Sequence, residues 1–312
     1  MTYSPRLQDI IAESCERLDH RLDLLHPYLA RRAHAWLQAL TGGHSLSDSV
    51  QAPDSFPMVL LVSWLEESLA GAVDREFQLV MAYSCITAYL FIRIHDNVMD
   101  GDVLADSRLL PLAGVLHQEF QSSLAEVFPS DSEFWDVFRT TWDESAFVTV
   151  YDADAVDLTE EEFLQISGRK CAAVAIQLAA VCFRYHRREA LPPWRAFIDV
   201  LSAWHQFDRD LWDWNKDQAQ GTTTFFLSEA RRRRKAGETV DGWVYREGFS
   251  WGRVYSSRLA TRLRGLALPL HCLSVDEYIE ERERSQQDRF DRVERGLSSA
   301  RSLLGVPDSM EE

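Results

Sequence analysis

The chain has 312 residues, 49 acidic against 33 basic, a formal net charge of −16 and 46% apolar composition. That balance excludes an intrinsically disordered chain, and it leaves no basic footprint for nucleic acid or an anionic membrane surface. Five cysteines, at 15, 85, 171, 182 and 272, form no Cys-x-x-Cys pair, which reads as a reduced, cytoplasmic protein.

From the N-terminus, Asp9, Glu13, Glu16, Arg17 and Asp19 come too early to leave room for the apolar core of a secretory signal. Helix-period patterning then predicts helices at about 5–19, 20–40, 55–70, 74–98, 108–127, 131–149, 160–186, 193–218, 222–235, 240–265 and 275–303. Capping boxes are expected at Ser130–Glu133, Thr159–Glu162 and Ser274–Glu277. The stretch 42–54, rich in Gly, Ser, Asp and Pro, reads as a loop, and so does 152–162 with its six acids. The apolar run Cys171 to Phe183 is too short to span a bilayer and reads as a buried helix, so no stable membrane insertion is expected. A length prior of ~150 residues per domain suggests two domains. With no repeat and no long linker, one all-α domain over 1–312, a large helical bundle, fits better.

Two aspartate-rich segments close long apolar helices. In His95-Asp96-Asn97-Val98-Met99-Asp100-Gly101-Asp102, Asp96 and Asp100 stand four apart and share a helix face. Such a pair can hold a hard divalent cation and leave room for phosphate oxygens; it can equally be a solvated face. In Gln206-Phe207-Asp208-Arg209-Asp210 through Asp213 to Asp217, the last two acids again stand four apart, with Asp210 one turn before Asp213. Acids crowded on an apolar helix are costly unless cations or bases neutralise them. The third element is Gly168-Arg169-Lys170-Cys171-Ala172, two cations leading into an apolar helix; they suit a diphosphate, or snorkel at a helix end.

The three elements together resemble the motifs of the class I isoprenoid synthases. The first acidic segment is similar to HDDxMDxD of the trans-prenyl diphosphate synthases, with Asn97 in place of the second Asp. The second is similar to QxxDDxxDxxxD, with Arg209 in place of the first Asp, and the third to the family's lysine motif. The resemblance spans nearly the whole chain and implies the all-α class I isoprenoid synthase fold. It also implies Mg²⁺ held by Asp96, Asp100, Asp210, Asp213 and Asp217, with Asp96, Asp100, Asp213 and Asp217 catalytic. Arg169, Lys170 and Arg209 would bind the diphosphate, although Arg209 can instead pair with Asp213. Tyr89, Phe91, Ile92, Phe147, Gln206 and Phe207 would line the pocket; Tyr83, Tyr151 and Trp204 are further aromatic candidates, and any of these rings can instead be plain core. Phe91 and Tyr89 would favour a fifteen- to twenty-carbon prenyl chain.

The Gly-Lys-x-x-Arg-Pro motif of chain-elongating members and the paired arginines after their first acidic motif are missing. The implied activity is therefore a terpene synthase or cyclase acting on farnesyl or geranylgeranyl diphosphate. The alternatives are a prenyltransferase that joins two substrates and a non-catalytic homologue. A homodimer is one assembly that the resemblance allows. The run Arg231–Lys235 reads as a solvated helix end or as a basic lip for the diphosphate.

Overall fold

A computed structural model describes residues 3–101 and 104–303. Among them all regular structure is helical: α1 Pro5–Asp23, α2 Pro27–Leu40, α3 Leu46–Val50, α4 Met58–Ala70, α5 Arg75–Met99, α6 Leu110–Ala125, α7 Phe134–Ala153, α8 Glu160–Arg169, α9 Ala172–Arg184, α10 Leu191–Trp212, α11 Trp214–Gln220, α12 Phe225–Arg233, α13 Val240–Trp243, α14 Phe249–Ala267 and α15 Leu273–Leu303. A π-helical turn, Val244–Gly248, joins α13 to α14.

The predicted helices are present, but their ends moved for local reasons. The first break falls at Leu24–His26 and not near His20, because Pro27 opens α2 at a position that needs no N–H donor. The single helix expected over 160–186 is broken at Lys170–Cys171, and that over 193–218 at Asp213. Of the three capping boxes, the one at Thr159 forms fully. Glu162 N–H donates to Thr159 Oγ1 at 3.3 Å, and Thr159 N–H donates to the Glu162 carboxylate at 2.9 Å. At α7, Glu133 is the cap residue and makes no capping bond, its carboxylate pairing with Arg188 instead, while Ser274 lies inside α15.

The chain forms two compact units, each discontinuous in sequence. The first comprises Met1–Asp154, Arg169–Ile198 and Leu270–Cys272; the second comprises Ala155–Gly168, Asp199–Pro269 and Leu273–Glu312. In the first, α5 packs against α1, α4, α6 and α9. By length and composition α5 could cross a membrane. Of its most apolar window, 67% is buried, as the central helix of a bundle must be. In the second, α14 packs against α15, and Phe207, Phe225, Phe226, Trp243 and Trp251 form an aromatic core. All five cysteines are free thiols.

Candidate active site

The end of α5 positions the first acidic pair. Asp100 is the C-cap residue, and its N–H donates to the Asp96 carbonyl at 2.8 Å, so both carboxylates leave the last turn on one side. Gly101 at φ 61° then turns the chain away. Asp100 is exposed and Asp96 half-buried, with Arg93 Nη1 at 3.9 Å from Asp96 Oδ2. Asp102 lies outside the described residues.

Asn97 points elsewhere. It is 2% exposed, and neither polar atom of its amide has a hydrogen-bond partner. An ionised carboxylate buried there would cost several kcal/mol without a counter-charge. The departure from the resembled motif therefore falls at a buried position and not on the acidic face.

Phe91 sits in a cluster of rings. Its centroid lies 4.3 Å from His95, 5.1 Å from His117 of α6 and 5.4 Å from Trp142 of α7. Burial, and then the charge of His95, hold His117 below its ordinary pKa. Tyr89 and Ile92 are half-buried on α5. Phe147, also expected in the pocket, is 63% exposed on α7, its ring 6.0 Å from Tyr151. Tyr83 is fully buried and donates to Glu119 at 2.9 Å, a core role.

At the α8–α9 break, Arg169 is exposed and Lys170 half-buried. Lys170 Nζ is paired with Asp152 in the last turn of α7. Asp152 was hidden in sequence because the acid-rich run 152–162 reads as a loop, whereas α7 continues to Ala153. In the second unit, Gly168 is required by packing: a Cβ there would lie 2.8 Å from the Cβ of Asp199 on α10.

The second acidic segment divides. Asp208 is buried, accepts from Trp212 Nε1 at 2.8 Å, and faces Arg282 at 3.3 Å and Arg289 at 3.5 Å, both from α15. It is an internal counter-ion. Asp210, 3% exposed, accepts from Gln206 Nε2 at 2.7 Å; Gln206 itself is exposed. Asp213 is exposed and Asp217 half-buried. Across the break between α10 and α11 they stay one turn apart, with Asp217 N–H donating to the Asp213 carbonyl at 3.0 Å.

Arg209 is exposed, and its link to Asp213 is through backbone alone, Asp213 N–H to the Arg209 carbonyl at 2.8 Å. Phe207, expected in the pocket or as plain core, is fully buried in the aromatic core of the second unit. Trp204 is likewise core, donating to Ser256 at 2.8 Å. His205 is held neutral by burial, then by the nearby Arg282 and Arg209, and its Nε2 meets the Tyr278 hydroxyl. The basic run that begins in the last turn of α12 is engaged locally: Arg231 donates to the Val156 carbonyl, Arg232 pairs with Asp157 and Arg233 with Glu229. Among the described residues, no three His, Cys, Asp or Glu side chains converge as a preformed metal site.

Known proteins share this architecture. A farnesyl diphosphate synthase of T. brucei complexed with a bisphosphonate superposes with a TM-score of 0.61 at 12% identity, over 88% of this chain and 96% of that one. A geranylgeranyl pyrophosphate synthetase from the archaeon Geoglobus acetivorans gives 0.63 at 15% identity, over 92% and 98%. The T. brucei farnesyl diphosphate synthase complexed with risedronate gives 0.52 at 12% identity, over 98% and 99%. No family model matches the sequence, and no curated protein does. The chain has the all-α fold of the class I isoprenoid synthases.

Proposed function

We propose that this chain is a Mg²⁺-dependent terpene synthase. It ionises a linear prenyl diphosphate, farnesyl or geranylgeranyl, to a terpene product and diphosphate. The observation that carries the reading is the Asp96–Asp100 pair, one turn apart at the open end of α5, in a fold shared with prenyl diphosphate synthases.

Two hard carboxylates at this spacing suit Mg²⁺, which takes its remaining ligands from water and substrate phosphates. Asp96 and Asp100 would hold the metal on the first segment and Asp213 and Asp217 on the second, with Asp210 drawn in from its bond to Gln206. When bound, the metal supplies Lewis-acid stabilisation of the leaving diphosphate. Arg169, Lys170 and Arg209 bind the diphosphate oxygens, and Lys170 exchanges Asp152 for the substrate. Tyr89, Phe91, Ile92 and Phe147 line the path of the prenyl chain and exclude water from the cation. The two units work as one synthase domain over 1–312.

The second reading is a prenyltransferase, favoured by the names of the structural neighbours. The missing Gly-Lys-x-x-Arg-Pro motif and paired arginines weigh towards a single substrate. Incubation with geranyl, farnesyl and geranylgeranyl diphosphate and Mg²⁺, with and without isopentenyl diphosphate, separates the readings. Terpene product without isopentenyl diphosphate is expected. Longer diphosphates formed only with isopentenyl diphosphate select the prenyltransferase. No turnover, and no thermal shift with substrate and metal, overturns both.

A further inference from the structure

The second unit contains a pocket of about 180 Å³ that none of the aspartates of the two acidic segments lines. Its wall is aromatic. Trp251 and Tyr255 of α14 stack with centroids 5.4 Å apart, and Phe225 of α12 closes the floor 5.2 Å from Tyr255. Two arginines frame it: Arg233 lies 5.1 Å over the Trp251 ring, and Arg258 lies 4.7 Å over the Tyr255 ring. Arg233 Nε donates to Glu229 at 2.6 Å, and Arg258 Nη2 donates to Glu160 at 2.6 Å. Tyr255 is 3% exposed, and its hydroxyl has no hydrogen-bond partner. Burial keeps that hydroxyl protonated, well above the pH range of a working protein.

The distribution of partners selects the charge of an occupant. Both glutamates already face guanidinium groups, and Arg233 and Arg258 each take one face, of Trp251 and Tyr255 respectively, so a positively charged ligand finds no unpaired carboxylate and meets two cations. Each guanidinium commits one nitrogen to its glutamate and keeps further N–H donors in a planar fork suited to an oxyanion. The volume suits a flat body of one or two rings, since an apolar cavity of ~150 Å³ holds benzene.

We infer that this pocket, between the start of α8, the end of α12 and the middle of α14, is a binding site for a small planar aromatic carboxylate. The aromatic body packs against the lining of Phe225, Trp251 and Tyr255, and the carboxylate takes the spare donors of Arg233 and Arg258 and the Tyr255 hydroxyl.

Calorimetric titration with 1-naphthoate tests it. One saturable site is expected, weakened by about tenfold or more in Arg258→Gln and Arg233→Gln, and by about fivefold in Tyr255→Phe. The neutral analogue 1-naphthalenemethanol and the cation 1-naphthylmethylammonium should bind at least about tenfold more weakly than the carboxylate. Asp96→Asn and Asp213→Asn should bind 1-naphthoate as the parent does, which separates this site from the proposed diphosphate site. Absence of saturable binding, equal binding of the ammonium, or loss in Asp96→Asn without loss in Arg258→Gln overturns the assignment. If the arginine variants melt at lower temperature, Tyr255→Phe, which keeps the ring, decides: unchanged affinity there overturns it.

Discussion

The acidic segments at the ends of α5 and α10 look alike in sequence and differ in what surrounds their carboxylates. At the end of α5, Asp96 and Asp100 lie on the accessible side of the last turn, and the one inward-facing position of the motif carries the uncharged Asn97. At the end of α10, four aspartates within one short segment have two fates. Asp208 and Asp210 are buried and engaged inside the protein, whereas Asp213 and Asp217 lie past the helix break. The second segment thus mixes accessible carboxylates with buried, internally paired ones. Burial, more than spacing, sorts them, because a buried carboxylate must be paired whereas an accessible one is available to a cation.

The sharpest way to break this comparison is to remove one acid of each kind. Asp96→Ala or Asp100→Ala should lower turnover by roughly a hundred- to a thousand-fold. The melting temperature of either variant should stay near that of the parent, since neither side chain is buried. Steady-state assays with the substrate that the parent consumes, alongside thermal melts, check both halves. Full turnover in either variant would remove the first segment from the site.

Asp208→Ala should do the opposite. It leaves Arg282, with only 9% of its side chain exposed, as a buried cation without its carboxylate, and it also strips the Trp212 indole N–H of its acceptor. Removing one partner of a buried ion pair costs about 3–5 kcal/mol. Chemical denaturation should therefore show a large loss of stability. Asp208→Asn should recover part of it, because an amide oxygen still accepts from Trp212. If Asp208→Ala melts normally but loses turnover, Asp208 belongs with the ligands and the division by burial is wrong.

Gly168→Ala probes the neighbouring lysine motif. The added methyl meets Asp199 on α10 at 2.8 Å, so α8 must shift or Asp199 must rotate. Overpacking of this kind costs about 1–3 kcal/mol. A stability loss in that range is expected by denaturant titration, and a neutral result would mean that α8 is free to move away from α10.

These cases also show how far sequence reaches. The helices were legible because apolar residues recur at helical spacing, and the Thr159 box formed because its two partners are three residues apart. What decided the fates of the acids was not local. Arg282 and Arg289 come from the last helix, 74 and 81 residues beyond Asp208. Asp152 meets Lys170 from another helix, and Trp142 and His117 reach Phe91 from two more. The surroundings of Phe207 are non-local for the same reason. An aromatic residue beside an acidic motif looks like a pocket wall until the rings of α12 and α14 are placed around it.

The smallest effect tests the rule on a carboxylate that no motif contains. Glu66, in the middle of apolar α4, is fully buried, and among the described residues no basic side chain pairs with it. It is held by hydrogen bonds: Tyr185 Oη and Gln78 Nε2 donate to it, and so does Asp74 N–H at 3.1 Å. Burial raises its pKa above the ordinary 4.5, and these three bonds offset the rise only in part. A carboxyl group raised in this way gives stability that is fully present below its unfolded pKa and is lost as pH rises through the folded value. Stability of the parent should thus decline as pH climbs from about 4.5 through that window. Glu66→Gln should remove the decline. The glutamine oxygen can keep the Tyr185 and Asp74 donors, and its amide N–H₂ then faces Gln78. Gln78 can flip to offer its own Oε1, an atom that is buried without a partner in the parent. The flip moves the unpartnered position from the Gln78 oxygen to its N–H₂, a buried donor that costs about 1–3 kcal/mol and offsets the relief of the buried charge, so at neutral pH the variant should stay within about 1–3 kcal/mol of the parent. Denaturation curves at pH 4 and pH 8 check it. If Glu66→Gln is equally destabilised at both, the hydrogen bonds require the charged form, and a buried carboxylate can be held by neutral donors alone.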